Sequence, residues 1–361
     1  MAEPLKEMFN ARFYQDLSKR VKEAYPTFNE KDFIKDTTFG LEHLSLNERL
    51  RNTSLVLNKY LPANYLKSLN VMYEVIENSP KGYVALVFPD YVGLFGHEHF
   101  EQSMEALKFF TSFGSSEFAI REFLKRDFDK TIKVMERWAN DTDHHVRRLA
   151  SEGSRPRLPW SFKLDRVIQN PSVTKRVLDA LKSDTELYVK KSVANHLNDI
   201  SKDNPEYMLS MVESWDHSNA DTKWIVKHAS RTLIKKGDKK ALQLFAFEKN
   251  VSIRVEAFKL NKKKIKLGES LQFDFDIVST KKTTQKLVVD YIVYYAKKGA
   301  ERSEKVFKLK ELELKSASKV HVTKKQLFKD FSTRKHYKGK HSIELMINGK
   351  SYGRIDFELL A

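Results

Sequence analysis

The chain contains no cysteine among its 361 residues and no long uninterrupted run of apolar residues. Without cysteine it can form no disulfide, no thiol nucleophile and no thiolate-ligated metal site. A membrane-spanning helix needs roughly 18 consecutive apolar residues, so no membrane partner is expected. The first eight residues, Met-Ala-Glu-Pro-Leu-Lys-Glu-Met, are too acidic and too broken for a secretory signal. We therefore expect a cytoplasmic protein, and nothing in the sequence supports an oxidising compartment.

The sequence patterns of several enzyme classes are also missing. There is no Walker phosphate-binding loop, no glycine pattern of a Rossmann fold and no Gly-x-Ser-x-Gly elbow of a serine hydrolase. The histidine pairs His97/His99 and His144/His145 come without a His-Glu-x-x-His frame or a cysteine ligand. We expect neither a metal ion nor a small-molecule cofactor.

What the chain does have is positive charge, unevenly distributed. The net charge is +17. Residues 258–361 hold 25 Lys+Arg and 12 Asp+Glu, a net of +13, whereas residues 1–257 hold 40 and 36, a net of +4. Such an excess favours a nucleic-acid or anionic-membrane partner, with improved solubility as the alternative. Because most of the C-terminal cations are lysines, they attract phosphate without reading its geometry.

The first of two predicted domains, residues 1–257, reads as helix with a repeat. The segments around Val146, Val189 and Val226 resemble one another at steps of 43 and 37 residues. This period is typical of HEAT-like helix pairs that stack into an α-helical solenoid, an α-α superhelix. Cations follow each valine, so we expect them to line one surface: Arg147, Arg148, Lys190, Lys191 and Lys227. The nearly balanced charge of this domain suggests no obligate protein partner and a monomer.

The second predicted domain, residues 258–361, changes to short alternating segments. Apolar residues alternate with polar ones from Ile265 to Ile277, and Leu287 to Tyr295 is rich in β-branched and aromatic residues. Asn348-Gly349 marks a tight hairpin. About seven short strands in this length predict an all-β, immunoglobulin-like sandwich. We expect its lysines to grip a nucleic-acid duplex opposite the solenoid, and the alternative is a stabilising appendage with a solvated lysine surface. The lysines form two clusters: Lys262, Lys263, Lys264, and Lys335, Lys338, Lys340.

The tract from Phe113 to Trp160 combines carboxylates and arginines. Its blocks Ser-Ser-Glu-Phe-Ala-Ile-Arg (115–121), Val-Arg-Arg-Leu-Ala-Ser-Glu-Gly (146–153) and Arg-Pro-Arg-Leu-Pro-Trp (155–160) hold two carboxylates and five arginines. Arginines suit a polyanion, whereas carboxylates repel one, so the mixture indicates chemistry. Glu117 could instead serve a helix N-terminus or pair with Arg121. Glu152 is predicted at a helix C-terminus before Gly153, where the helix dipole disfavours a carboxylate.

The remaining residues of the tract have competing interpretations. Arginine forks match phosphate oxygens, so the arginines are candidate phosphate ligands, or else a solvated surface paired with Asp141 and Asp143. Trp160 follows Pro159 in a turn and is either a packing anchor or a platform for a ligand. A passive nucleic-acid-binding solenoid is the alternative to an enzyme, because many HEAT solenoids are scaffolds.

Together the three blocks resemble the AlkC branch of the AlkC/AlkD DNA glycosylases. The resemblance implies an enzyme that removes cationic alkylated bases, 3-methyladenine and 3-methylcytosine, from duplex DNA as a monofunctional glycosylase. It implies Glu117 and Glu152 as catalytic carboxylates and Trp160 as an aromatic wall beside the lesion. The family pattern has proline after Ile-Arg where this chain has Glu122.

The chemistry implied by this resemblance agrees with the residue types. An alkylated base already carries positive charge, so the enzyme has to stabilise an oxocarbenium-like sugar and position a water, as carboxylates do. Trp160 would contact the sugar or the cationic base. Arginines of the tract would hold flanking phosphates. These predicted ligands are Arg121, Arg147, Arg148, Arg155 and Arg157.

Overall fold

The computed structural model of the chain describes residues 4–245, 247–248, 250–298, 302–331 and 335–360. The chain divides into two compact units. The first takes in the chain up to Tyr207 together with Trp215–Ala229, and the second takes in Met208–Ser214 and the chain from Ser230 onward. The first strand begins at Ile253, five residues before the predicted change of character at residue 258. A domain boundary between residues 257 and 258 therefore stays a prediction.

Helices make up most of the first unit and continue briefly into the second. In chain order they are α1 (Ala11–Ala24), α2 (Glu30–Thr38), α3 (Leu46–Tyr60), α4 (Tyr65–Glu77), α5 (Val87–Phe95), α6 (Phe100–Phe110), α7 (Ala119–Arg126), α8 (Phe128–Trp138), α9 (His144–Gly153), α10 (Asp165–Gln169), α11 (Lys175–Leu181), α12 (Leu187–Asp203), α13 (Pro205–Glu213), α14 (Ala220–Ala229), α15 (Arg231–Lys235) and α16 (Lys239–Leu244). Short 3₁₀ turns span Leu5–Met8, Leu41–His43, Tyr83–Leu86 and Pro171–Thr174. Among the described residues, no helix is long and apolar enough to cross a membrane.

Side-chain caps set where several of these helices begin. The Asp127 carboxylate accepts the backbone N–H of Lys130 at 3.0 Å and starts α8. The Asp143 carboxylate accepts the N–H of His145 at 2.8 Å and starts α9. Each cap satisfies a donor that the first helical turn leaves unpaired. These two caps therefore fix where α8 and α9 begin.

The repeat valines identify a row of equivalent helices. Val146, Val189 and Val226 lie in α9, α12 and α14, and each is buried. Helix α12 packs against α9 on one side and α14 on the other. This stacking of successive helices confirms the predicted α-helical solenoid.

Ion pairs connect neighbouring repeats at the residues that follow two of the three valines, Val146 and Val189. Arg147 donates to Asp184 at 2.6 Å, and Lys190 donates to Asp221 at 2.5 Å. Both aspartates lie just ahead of or at the start of the next helix in the row. The first recurring cation of the repeat is therefore paired with an acid of the following repeat.

The second unit contains eight strands in two sheets among the described residues. The strands are β1 (Ile253–Leu260), β2 (Lys264–Lys266), β3 (Ser270–Ser279), β4 (Gln285–Ala296), β5 (Arg302–Leu314), β6 (Lys319–Leu327), β7 (Gly339–Ile347) and β8 (Lys350–Leu360). One sheet has the order β1-β3-β6 and the other β2-β8-β7-β4-β5. Neighbours are antiparallel except β2 and β8, which are parallel.

The sandwich core follows from the alternation seen in the sequence. Leu271, Phe273, Phe275 and Ile277 of β3 are all fully buried, because alternate residues of a strand face the same side. They pack with inward residues of β4, β7 and β8. The predicted Asn348-Gly349 turn joins β7 to β8, and both residues have positive φ, 47° and 76°. Such angles are what a two-residue hairpin of this sequence requires.

Candidate active site

A cleft of about 440 Å³ in the helical unit gathers the residues predicted to be catalytic. Glu117 comes from the segment before α7, Glu152 from the last turn of α9, and Trp160 from the loop that follows α9. Arg148 and Tyr188 complete its polar wall. The structure thus brings together three residues that are up to 43 positions apart in the sequence.

Glu117 lies in a turn, two residues before α7, and not inside the helix as the sequence suggested. Its Oε2 accepts the hydroxyl of Ser115 at 2.9 Å and receives the guanidinium of Arg148. Arg148 in turn donates to the Ser115 hydroxyl at 2.8 Å. The carboxylate is therefore oriented by a triangle of contacts, and its ion-pair partner is Arg148 and not Arg121.

Glu152 occupies the last turn of α9 with a side chain only 8% exposed. Gly153, expected in a left-handed conformation past the helix end, is instead the last helical residue. A Cβ there would lie 2.4 Å from Cγ2 of Ile120 and 3.2 Å from Cε of Met135. Glycine is needed at this position because α9 passes so close to α7 and α8.

Two arginines offset the unfavourable position of Glu152 at a helix C-terminus. Its Oε1 lies 2.5 Å from Nη1 of Arg155 and 3.6 Å from Nη2 of Arg148. Arg155 also reaches Asp199, with Nε at 2.8 Å and Nη2 at 2.7 Å from the same oxygen. The pKa of Arg155 is raised, because the pull of Glu152 and Asp199 outweighs its burial. The Arg155 guanidinium therefore stays charged beside the carboxylate.

Of two further α12 side chains near the site, Tyr188 lines the cleft and His196 lies outside its lining. The guanidinium of Arg148 lies over the ring of Tyr188, 4.8 Å from its centroid, a cation–π arrangement. Burial raises the pKa of Tyr188, with Arg148 opposing the shift, so the phenol stays protonated. His196 is fully buried with Nδ1 3.0 Å from the carbonyl oxygen of Ser151, and burial lowers its pKa to about 3. It therefore holds the backbone beside Glu152 as a neutral ring.

Trp160 is held out of the core and not packed into it. The residue is 69% exposed, and its backbone φ of 64° lies in the left-handed region. A non-glycine residue pays roughly 1–2 kcal/mol for that conformation. Tyr83 meets the indole edge-on with ring centroids 6.4 Å apart. The strained backbone and the exposed indole favour a platform for a ligand over a packing anchor.

Arg121 is not available to DNA, which corrects the sequence-based expectation. The residue is fully buried. Its Nη1 donates to the carbonyl oxygens of Gly153 at 3.0 Å and Arg155 at 2.7 Å, and its Nη2 donates to that of Phe162. Burial lowers the pKa of Arg121 to about 10, still well above neutral pH. The arginine fixes the loop that carries Trp160.

Arg155 needs the same correction, and the other cations of the helical unit differ in their surroundings. Arg155 is buried, and its three guanidinium nitrogens serve Glu152 and Asp199. Arg157 is partly exposed and pairs with Asp203 at 2.6 Å. Lys191 and Lys227 are exposed. Contact with DNA stays a prediction for the residues outside the core: Arg147, Arg148, Arg157, Lys190, Lys191 and Lys227.

The six lysines singled out in the β-sandwich are all exposed. Three of them lie near surface carboxylates: Lys262 is 3.6 Å from Glu269, Lys264 is 3.1 Å from Glu358, and Lys340 is 2.6 Å from Asp356. Exposed pairs of this kind contribute about 0–1 kcal/mol and exchange readily for other partners. Binding of phosphate by both lysine clusters therefore stays a prediction.

One group of the described residues has the composition of a metal site. Asp143, His144 and His145 place one possible ligand atom each within 4.8 Å of one another. The Asp143 carboxylate is already engaged, since it caps α9 and its Oδ2 accepts the Ser112 hydroxyl at 2.7 Å. The three residues are consecutive and face the start of their own helix. That the protein uses no metal stays a sequence-based expectation.

Sequence reasoning missed three residues of the site: Tyr83, Tyr188 and Asp199. Tyr188 directly precedes the repeat valine Val189, and Asp199 lies in α12 facing Arg155, so the repeat alignment offered a signal for that helix. Tyr83 follows Gly82 in a 3₁₀ turn that precedes the Phe113–Trp160 tract in the sequence. Nothing in its local sequence indicates that it meets Trp160.

Comparison with known proteins places the chain in a family. A family model described as DNA alkylation repair enzyme matches residues 101–233, and one described as the C-terminal Ig-like domain of the uncharacterised protein YhaZ matches residues 254–361. The uncharacterised protein YhaZ of Bacillus subtilis strain 168 is 41% identical over 358 residues, which cover 98% of this chain and 99% of that protein.

A solved structure agrees with this chain over its full length. It is the Pseudomonas fluorescens alkylpurine DNA glycosylase AlkC bound to DNA containing an abasic site analog, with TM-score 0.96 and 43% identity, covering 99% of this chain and 100% of that one. The chain belongs to the DNA alkylation repair enzyme family, in its AlkC-type branch with a C-terminal immunoglobulin-like domain. The predicted fold class, a HEAT-like solenoid followed by an immunoglobulin-like sandwich, is confirmed.

Proposed function

We propose that the protein is a DNA glycosylase that hydrolyses the N-glycosidic bond of cationic alkylated bases, 3-methyladenine and 3-methylcytosine, in duplex DNA. The observation that carries the proposal is the convergence of Glu117 and Glu152 on one guanidinium, that of Arg148, in a cleft walled by Trp160. Family membership and the AlkC structure, which holds DNA with an abasic site analog, support DNA as the partner.

The two carboxylates suit the chemistry of this reaction. An N3-alkylated base is already positively charged, so it leaves as a neutral base without needing a general acid. The sugar then develops oxocarbenium character, which a carboxylate stabilises, and a carboxylate also orients the attacking water and takes its proton. Glu152, held by two arginines and nearly excluded from solvent, serves the first role, and the more exposed Glu117 serves the second.

The carboxylates of Glu117 and Glu152 give the cleft a preference for positive charge, which Arg148 satisfies in the DNA-free protein. In the DNA-free protein its guanidinium contacts both carboxylates and lies over the Tyr188 ring. A cationic base that enters the cleft competes for the same contacts, while a neutral base gains little by displacing a charged guanidinium. Arg148 is then free to approach a flanking phosphate, for which arginine is well suited. The site thus selects damaged bases by charge.

Hydrolysis without a lyase step is favoured by the cleft lining. None of the described residues that line the cleft is a lysine, so no amine is placed to form a Schiff base with the sugar. Water is therefore the nucleophile, and the product is an intact abasic site. The exposed lysines of the β-sandwich add contacts to DNA phosphates, and these contacts do not depend on the base sequence.

Base release from methylated duplex DNA tests the proposal. Wild-type protein should release 3-methyladenine or 3-methylcytosine, and Glu152→Gln should abolish release while leaving DNA binding largely intact. A matched control is Glu136→Gln, which removes a carboxylate of α8 that lies 3.5 Å from Arg176 outside the cleft. If wild type releases no base but still binds DNA, the protein is a passive nucleic-acid-binding solenoid. If Glu152→Gln retains normal release, the role given to Glu152 is wrong.

A further inference from the structure

A second cavity, of about 280 Å³, borders the catalytic cleft. Trp160 and Phe118 line both spaces, so their rings form a wall that the two share. The size is close to the lower end, about 300 Å³, of pockets that hold small ligands. A ligand in this second cavity would therefore lie against aromatic rings that also face the reacting sugar.

The other walls of the second cavity carry polar groups from three helices. Asn47 comes from α3, Asp90 from α5 and Glu122 from α7. Arg51 lies 3.0 Å from Asp90 and balances its charge. The cavity lining therefore has a net negative charge, which comes from the Glu122 carboxylate. Such a lining disfavours phosphate and favours a ligand that donates hydrogen bonds.

The combination of aromatic and acceptor groups defines a ligand class. Flat aromatic ligands stack on rings such as that of Trp160, and stacking is available to every nucleobase. Carboxylates accept hydrogen bonds from the exocyclic amine of cytosine, and asparagine pairs with the amine-bearing edge of adenine. The hydroxyl of Tyr83 donates to Oδ1 of Asn47, which fixes the plane of that amide.

We propose that the second cavity is a nucleobase subsite that accepts an amino-bearing base next to the catalytic cleft. Glu122 accepts the exocyclic amine, and the ring stacks against Trp160. The inference rests on the proposed glycosylase function, because hydrolysis of the N-glycosidic bond releases one base and leaves the opposite base without a pairing partner. Two sources share this chemistry: the guanine opposite 3-methylcytosine and the free amino-bearing base released by hydrolysis.

Glu122→Gln tests the subsite, because it keeps the side-chain shape and removes the charge. A second variant, Leu50→Phe, narrows the cavity with an apolar ring from α3. The control is Glu101→Gln, a carboxylate of α6 that is 70% exposed and near Lys130. Melting temperatures of all three variants establish that each is folded.

The first arm measures affinity for duplexes that contain an uncleavable abasic-site analogue. One duplex carries guanine, the base that faces 3-methylcytosine, opposite the analogue, and the other carries a second abasic analogue there. If the subsite takes the opposite base, wild type binds the first duplex about tenfold more tightly, as expected for loss of one stacked base. Glu122→Gln and Leu50→Phe should lose that preference, and Glu101→Gln should keep it.

The second arm measures binding of free 3-methyladenine to the full-length protein by calorimetric titration. If the subsite takes the released base, both cavity variants weaken this binding about tenfold and the control does not. If neither arm depends on Glu122 and Leu50 in folded variants, the proposal is overturned. Base release by wild type is scored separately. If wild type releases no base, the proposed function is wrong. If it releases base but the Glu122 and Leu50 variants bind both ligands as wild type does, only the subsite is wrong.

Discussion

Asp199 and Arg155 form a buried ion pair in which one carboxylate oxygen lies 2.8 Å from Nε and 2.7 Å from Nη2. The remaining guanidinium nitrogen, Nη1, lies 2.5 Å from Glu152. A residue of α12 thereby orients a carboxylate of α9 through a planar group whose three nitrogens are all used. Asp199 is a positioning residue, since it lies behind Arg155 and does not line the cleft.

Replacing Asp199 with Asn should impair both stability and catalysis. Breaking a buried ion pair costs up to about 3–5 kcal/mol, and here Arg155 loses one of its two carboxylate partners while Glu152 remains. The carboxylate of Glu152 would lose its fixed orientation, so single-turnover base release should fall roughly 10- to 100-fold. Its DNA affinity should change little.

The matched control for this change is Asp203→Asn, which removes the partner of the more exposed Arg157. That variant should lose no more than about 1 kcal/mol of stability. Equal loss of base release in the two variants would show that Asp199 has no special role in orienting Glu152.

Arg121→Met should distinguish a structural arginine from a phosphate ligand. Three carbonyl groups lose a buried donor, so the free energy of unfolding should fall by at least about 2 kcal/mol. Because the side chain is buried, the salt dependence of DNA binding should not change. Arg157→Gln is the comparison, and it should lower the salt slope by about 0.9 if Arg157 contacts one phosphate. A reduced slope in Arg121→Met would restore Arg121 as a DNA contact.

Trp160→Gly and Trp160→Ala should lose base release alike but differ in stability. Both remove the indole that walls the cleft. Only glycine adopts the left-handed backbone without strain, so Trp160→Gly should unfold with about 1 kcal/mol more free energy than Trp160→Ala. Chemical denaturation together with single-turnover kinetics checks both points. Wild-type base release in either variant would remove Trp160 from the proposed machinery.

Neutralising exposed lysines of the β-sandwich should weaken DNA binding without affecting the chemical step. A triple change to glutamine at three predicted contacts should lower the salt slope by about 2–3, since each phosphate contact contributes about 0.9. The three positions are Lys263, Lys335 and Lys338. A control triple with the same charge change uses exposed lysines outside both clusters, Lys282, Lys286 and Lys315. Equal slopes for the two triples would mean that the clusters have no preferred role.

Asp290 should make the second unit less stable as pH rises. This residue of β4 is buried, its Oδ1 has no hydrogen-bond partner among the described residues, and burial raises its pKa to about 6 against the nearby Lys235 and Lys308. The folded protein therefore binds a proton between pH 4 and 6 that the unfolded chain releases, and stability falls as pH rises through that range. Glu311, also nearby, acts in the same direction as burial.

Asp290→Asn should remove this pH dependence, because its side chain is neutral at every pH. At pH 7 it should be more stable than wild type by about 1–3 kcal/mol, and near pH 4 the difference should disappear. Thermal unfolding at both pH values measures it. A variant that is less stable than wild type at pH 7 would mean that the ionised carboxylate is compensated in the folded protein.

The architecture could be predicted from the sequence because it depends on periodicity. Alternation along β3 places Phe273 and Phe275 in the core whatever the rest of the chain does, and Asn348-Gly349 has few other uses than a tight turn. The repeat valines likewise predict equivalent helices, since each must be buried against its neighbour. These patterns involve residues that are close in the sequence, so they can be recognised without knowing the three-dimensional structure.

The site was predicted only as a set of residues, because the partners that decide their roles are distant in the sequence. Whether an arginine of the tract faces solvent or a carbonyl depends on where α9 and its following loop lie. Arg121 and Arg148 look equivalent in the sequence, yet one is buried on backbone oxygens and the other joins two carboxylates. The acceptor for Arg155 lies 44 residues away, in another repeat.

The ion pairs between repeats have a consequence for how this solenoid could grow. In Arg147–Asp184 and Lys190–Asp221, each donor follows its repeat valine and each acceptor precedes the next repeat valine. A duplicated segment that runs from one donor to the following acceptor would bring its own cation and its own anion. Insertion of a whole repeat would therefore leave neither the donor nor the acceptor of this ion pair unmatched at the new junction.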